Sequence, residues 1–168
     1  MNTTAQARAL IAAIVIISVG CAGHSRPNGQ EGSVTTLDPA RLRDFATRYT
    51  AAWCSQNAAS VAAFFSPGGS LQVNDAAPAV GREAITGVAQ GFMTAFPDMQ
   101  VLMDGLDVEG EKAVYRWTLV GTNTGPGGTG RGVRISGFEE WRIGPDGLIA
   151  ESLGHFDNDE YRRQLEGR

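Results

Sequence analysis

Apolar positions along this chain follow three different rhythms. From Ala9 to Gly20 they run almost unbroken, through Leu10, Ile11, Ile14, Val15, Ile16, Ile17 and Val19. Between Leu42 and Phe96 they recur every three or four residues, the spacing of one face of a helix. Beyond Met99 the period shortens toward two and the segments fill with Val, Tyr, Trp and Thr, which predicts strands. Asp38-Pro39 predicts a helix start, since Asp caps free N–H groups and Pro suits the first helical position. Leu42, Phe45, Ala46, Tyr49 and Trp53 then form one apolar stripe. A second, shorter helix is expected over Asn57 to Phe65, ended by Ser66-Pro67-Gly68-Gly69. Ser70 to Asn74 reads as a short strand that pairs with Pro78 to Val80. Gly81 to Phe96 reads as a third helix, stopped by Pro97. Strands follow over Met99 to Asp107, Lys112 to Thr122, Val133 to Ile143 and Leu148 to Phe156, with a closing helical turn over Asp159 to Leu165.

No strand–helix alternation occurs after residue 99, which disfavours a parallel sheet. The expected class is α+β, with helices packed on one face of a curved antiparallel sheet. Such a sheet encloses a concave cavity, where a small ligand would sit.

The leading segment is an address rather than part of that fold. Its apolar run is about 12 residues, against roughly 20 for a membrane span. A basic residue, Arg8, precedes the run and small residues follow it, the arrangement of an export signal over residues 1–20. Ser18-Val19-Gly20-Cys21 resembles a bacterial lipobox, in which Cys21 becomes the lipidated first residue of the mature chain; Ser18 stands where Leu is usual. The alternative is ordinary secretion with cleavage near Ala22-Gly23. Residues 21–36 are rich in Gly, Ser, Asn and Gln and read as a flexible tether, leaving residues 37–168 as the folded domain.

Composition narrows function mainly by exclusion. The 168 residues fit one domain plus an appendage, and the net charge of −4 comes with no basic block, which argues against nucleic-acid binding. Cys21 and Cys54 are too few for a disulfide framework, and His24 and His155 lie too far apart for zinc-ligand spacing. The Gly125–Gly130 loop joins two strands and opens no helix, so it lacks the geometry of a phosphate cradle; it reads as a mobile hairpin loop or a lid.

The chain resembles the SnoaL-like polyketide cyclase group of the NTF2-like superfamily. The likeness rests on Phe64-Phe65-Ser66-Pro67-Gly68-Gly69, Gly81-Arg82-Glu83-Ala84-Ile85, Phe96-Pro97-Asp98, the stretch Arg116 to Gly125, Gly147 to Glu151, and Asp157. It covers about residues 38 to 166. The resemblance implies an NTF2-like cone, three helices on a curved antiparallel sheet with an internal pocket, and often a homodimer. It also implies acid/base chemistry without metal or cofactor on a small apolar, carbonyl-bearing molecule. Such chemistry needs a carboxylate or imidazole in a dry pocket and a donor for the developing enolate. The chain departs from the group in its last strand: where cyclases often show Trp and then an acid, it has Leu153 and Gly154.

Three residues are candidate acid/base groups. Glu139 shares an alternate set with Val133, Ile135, Trp141 and Ile143, which places a carboxylate among apolar neighbours; the alternative is that Phe138 marks the inner face, through a bulge, and Glu139 is solvated. His155 and Asp157, two apart on a strand, point the same way, and an Asp beside an imidazole raises its basicity. Relatives often carry Lys at the position of Leu148, which implies that Ile149, Glu151, Leu153, His155 and Asp157 face inward. Periodicity alone leaves the opposite set (Leu148, Ala150, Ser152, Phe156) equally apolar. Tyr49, Trp53, Asn74, Phe92, Phe96, Trp117 and Trp141 are candidate walls of the pocket, while Arg116 belongs to the outer face. Two functions follow as expectations: a cofactor-independent cyclase or isomerase using His155–Asp157 or Glu139, or a non-catalytic ligand-binding or dimerising accessory lipoprotein.

Overall fold

The computed structural model describes residues 38–109 and 112–168. The expected export signal, the tether and Cys21 lie outside the described residues. In chain order the elements are α1 (Pro39–Cys54), α2 (Ala58–Ala62), β1 (Phe65–Val73), β2 (Ala79–Val80), α3 (Arg82–Ala95), β3 (Gln100–Glu109), β4 (Lys112–Thr122), β5 (Gly132–Ile143), β6 (Ile149–Phe156) and α4 (Asn158–Glu166). The Asp38 carboxylate accepts from Ala40 N–H at 3.0 Å, starting α1 where capping chemistry predicts. The α1 stripe of Leu42, Phe45, Ala46, Tyr49 and Trp53 is wholly buried.

The six strands form one curved, open sheet in the order β2-β1-β6-β5-β4-β3. Every neighbour pairs antiparallel except β1 and β6, which run parallel. The parallel pair arises because β1 belongs to the helical first half of the chain and docks beside the last strand. That strand is also longer than its short apolar core suggests. Ser66-Pro67-Gly68-Gly69 does not end in a turn; it lies within β1 as an irregularity between Phe65 and Ser70. Pro lacks the N–H that a regular ladder needs, so a bulge is where a strand tolerates it. Gly69 fits there because a Cβ would come within 2.7 Å of the Ile149 carbonyl oxygen.

The closing turn is a full helix, which makes four helices rather than three. Asp157 caps α4 by accepting from Asp159 N–H at 3.0 Å and Glu160 N–H at 2.9 Å. Gln164 ties the helix to β5, accepting from Arg134 N–H at 2.7 Å and donating to its carbonyl at 2.9 Å. None of its residues is fully buried, so its apolar signal in the sequence is weak. The glycine-rich loop is anchored rather than free. Asn123 donates to the Ala95 carbonyl at the end of α3 and accepts from Thr129 N–H, and a Cβ at Gly125 would overlap the Thr94 carbonyl.

Register places three rows of side chains on the helix-facing side of β4, β5 and β6. Ala113, Trp141 and Ser152 form the first, Tyr115, Glu139 and Gly154 the second, and Trp117, Gly137 and Phe156 the third. Trp53 of α1 and Phe92 of α3 meet at 6.1 Å between ring centroids and help cover this surface.

Candidate active site

The rows and helices enclose a hollow with a volume of about 50 Å³. Trp53, Phe92, Tyr115, Trp117 and Phe156 supply aromatic walls, and Glu139 is the one carboxylate among the described lining residues. Gly154 lies directly across from Glu139 on β6 and has no side chain to fill the space beside it.

Glu139 is only 6% exposed, and an unpaired carboxylate at that depth would carry a large desolvation cost. Three buried donors converge on one of its oxygens. The Tyr49 hydroxyl donates to Oε2 at 3.0 Å, the Trp141 indole N–H at 2.9 Å and the Ser152 hydroxyl at 2.7 Å. Among the described residues, no hydrogen bond is spent on Oε1. Burial pushes the Glu139 carboxyl above the usual carboxylate range, and the bonds from Trp141, Ser152 and Tyr49 pull against that rise. Burial also pushes the Tyr49 and Tyr115 hydroxyls up, with the Glu139 charge adding to both, so each remains a neutral donor. Tyr115 stacks on Trp141 at 4.8 Å, and its hydroxyl meets Thr50 Oγ1 at 2.7 Å. The result is a carboxyl group fixed in orientation, desolvated and set in the wall of the hollow. Such a group can exchange a proton with a bound molecule.

The sequence-based candidates separate into those that line the hollow and those outside it, of which Asn74, His155 and Asp157 line a separate open cleft. Glu139, Trp53, Phe92 and Trp117 line the hollow, and Tyr49 and Trp141 stand behind Glu139 as its donors. Phe96 is fully buried but sits away from the hollow, against Tyr161 of α4. Asn74 ends β1 with a φ of 48° and accepts from Phe156 N–H at 2.9 Å, which makes it a chain-turning residue. His155 and Asp157 do not enter the hollow. Pairing with β5 turns Ser152, Gly154 and Phe156 inward, so the alternation sends His155 out. There its imidazole lies exposed against Phe138, with ring centroids 5.0 Å apart, while the Asp157 carboxylate caps α4. The side chain of Ser152 and the gap at Gly154 are the parts of the site that sequence reasoning missed. The signal that finds them is cross-strand register with Glu139, which periodicity does not carry. Among the described residues no group of three or more His, Cys, Asp or Glu is placed to hold a metal ion.

A helix-covered, curved mixed sheet around an internal hollow defines the NTF2-like α+β cone. The chain belongs to the SnoaL-like domain family, whose model matches residues 46–152. Solved structures of the same fold include TsrD from Streptomyces laurentii, 26% identical with a TM-score of 0.68, covering 79% of this chain and 99% of that one. A putative SnoaL-like polyketide cyclase from a Jannaschia species is 17% identical with a TM-score of 0.64, covering 79% and 99%. A hypothetical protein with a ketosteroid isomerase-like fold from Catenulispora acidiphila, solved with trimethylamine, is 16% identical with a TM-score of 0.66, covering 73% and 92%. No curated protein matches the chain in sequence.

Proposed function

We propose that the domain binds a small apolar, carbonyl-bearing molecule in the hollow and that Glu139 acts on it as a cofactor-free general base. The observation that carries this reading is the asymmetry of the Glu139 carboxyl. Oε2 is occupied by three donors, while Oε1 has none among the described residues and the side chain lines the hollow. In the reaction Glu139 takes a proton from the carbon next to the carbonyl, and the C–H electron pair moves into a C=C bond as the oxygen becomes an enolate. Where a C=C bond is attached to that carbon, the enolate extends over it, and returning the proton to the far carbon gives isomerisation; attack of the enolate carbon on a second carbonyl gives an aldol ring closure. The aromatic walls exclude water from the enolate. Volume limits the ligand: a cavity of about 150 Å³ holds a benzene-sized molecule, so 50 Å³ admits only the reacting end of anything larger, the rest projecting through the mouth.

The test is deuterium exchange at the α-carbon of 1-indanone in D₂O, followed by NMR. Wild-type protein is expected to accelerate exchange and Glu139→Gln to abolish the acceleration while ligand affinity is retained. Acceleration that survives in Glu139→Gln overturns the assignment. If wild type binds indanone without exchanging its protons, the domain is a carrier instead. The chain is further proposed to be exported and tethered through Cys21, and to act as a homodimer. Mass spectrometry of the mature N-terminus checks the anchor: an unmodified peptide beginning after Cys21 ends it.

A further inference from the structure

Trp117 belongs to the wall of the hollow, and its indole N–H is a buried donor with no hydrogen-bond partner. A donor buried away from water without a partner is costly, and folded proteins keep few of them. The neighbouring Trp141 shows how this chain treats such a group elsewhere, since its N–H is spent on Glu139 at 2.9 Å. The Trp117 ring is also held in place. It lies across Gly137, where a Cβ would approach its Cζ2 at 2.6 Å, and it packs edge-on against Phe156 at 6.2 Å.

We propose that the Trp117 indole N–H is the donor that receives the ligand's oxygen, so that this residue selects an uncharged molecule with one accepting oxygen on an otherwise apolar body. The proposal rests on the reading of the hollow as a carbonyl site and names the residue that makes it one. A water molecule is a poorer partner. A water there would have at most two polar partners, the Trp117 N–H and Glu139 Oε1, the fewest an ordered water needs, because the rest of the lining is apolar or, like the Tyr115 hydroxyl, already bonded. A carbonyl oxygen is satisfied by one or two donors, and the carbon frame attached to it meets the aromatic walls. Trp117 and Glu139 stand in adjacent rows of neighbouring strands, and both residues line the hollow. In this assignment the N–H stabilises the charge that grows on oxygen while Glu139 handles the carbon-bound proton.

The experiment compares 1-indanone with indane, two probes of one shape that differ by the oxygen, on the full chain labelled with ¹⁵N. The Trp53, Trp117 and Trp141 indole resonances are assigned from single Trp→Phe variants. Indanone is expected to move the Trp117 indole proton downfield in wild type, and indane to leave it in place. Wild type is also expected to prefer indanone, and Trp117→Phe, which keeps a ring but removes the donor, to lose about tenfold of that preference. A preference that persists in Trp117→Phe, with no indole shift in wild type, overturns the assignment of Trp117 and leaves the carbonyl site standing. No preference in wild type overturns both. The shift is read in wild-type protein, so the assignment remains testable even if the variant folds poorly.

Discussion

Ser152→Ala is the sharpest probe of the Glu139 cluster, because its cost should depend on pH. Ser152 is fully buried, and its hydroxyl donates to Glu139 Oε2 at 2.7 Å. A hydrogen bond between neutral groups contributes about 0.5–1.5 kcal/mol, and one to a charged group about 1.5–3 kcal/mol. The small void left by the lost oxygen is the same at every pH and cancels from the difference. The sign follows from proton linkage. Burial raises the folded-state pKa of Glu139 above the unfolded value, about 4.3, so the folded state binds its proton more tightly. The stability this confers is fully present below the unfolded value and is lost as pH rises through the folded one. Ser152 opposes that loss by stabilising the charged carboxylate. Its removal should therefore cost about 1 kcal/mol in acid and about 2 kcal/mol once Glu139 ionises. Urea unfolding of wild type, Ser152→Ala, Glu139→Gln and the double variant across a pH series provides the measurement. In the Glu139→Gln background the pH dependence of the Ser152 effect should vanish. A Ser152→Ala cost that stays flat with pH would show that Glu139 does not ionise over the range or that Ser152 does not serve it, and the reasoning fails.

Other outcomes follow from the same geometry. Gly137→Ala places a Cβ 2.6 Å from the Trp117 ring and against the His155 carbonyl oxygen, so denaturation should show a loss of about 1–3 kcal/mol. Indanone affinity should fall with it, since the ring would be displaced. His155→Ala alters an exposed outer-face residue and should change stability by less than about 0.5 kcal/mol, with α-proton exchange unaffected. Asp157→Ala removes the α4 cap and should cost about 1 kcal/mol with exchange again intact, which calorimetry and NMR would separate.

How far the sequence speaks for this molecule depends on the kind of signal each feature leaves. Helix α1 announces itself through a stripe that starts at Asp38-Pro39, α3 through one that stops before Pro97, and β5 through the apolar set around Glu139. In β6 the two alternate sets are equally apolar, and only pairing with β5 decides that Ser152 and Phe156 turn inward while His155 turns out. The parallel docking of β1 leaves no local trace, because it joins residues 65–73 to residues 149–154. Pro67-Gly68-Gly69 carries strong turn chemistry that the strand overrides by bulging. Helix α4 buries no residue completely, so its pattern is faint, though its Asp157 cap is visible in retrospect. The orphaned N–H of Trp117 is a property of packing alone.

Gly154 lacks the acid that cyclases of this group often show in the last strand, yet a carboxyl group still reaches the same neighbourhood from Glu139 on the adjoining strand. On antiparallel neighbours, facing positions are near in space and far apart in order along the chain. In the proposed reading the proton-handling group thus enters the chamber from β5 rather than from the last strand. Relatives that look inert when scored on their final strand should be rescored on the residue facing it.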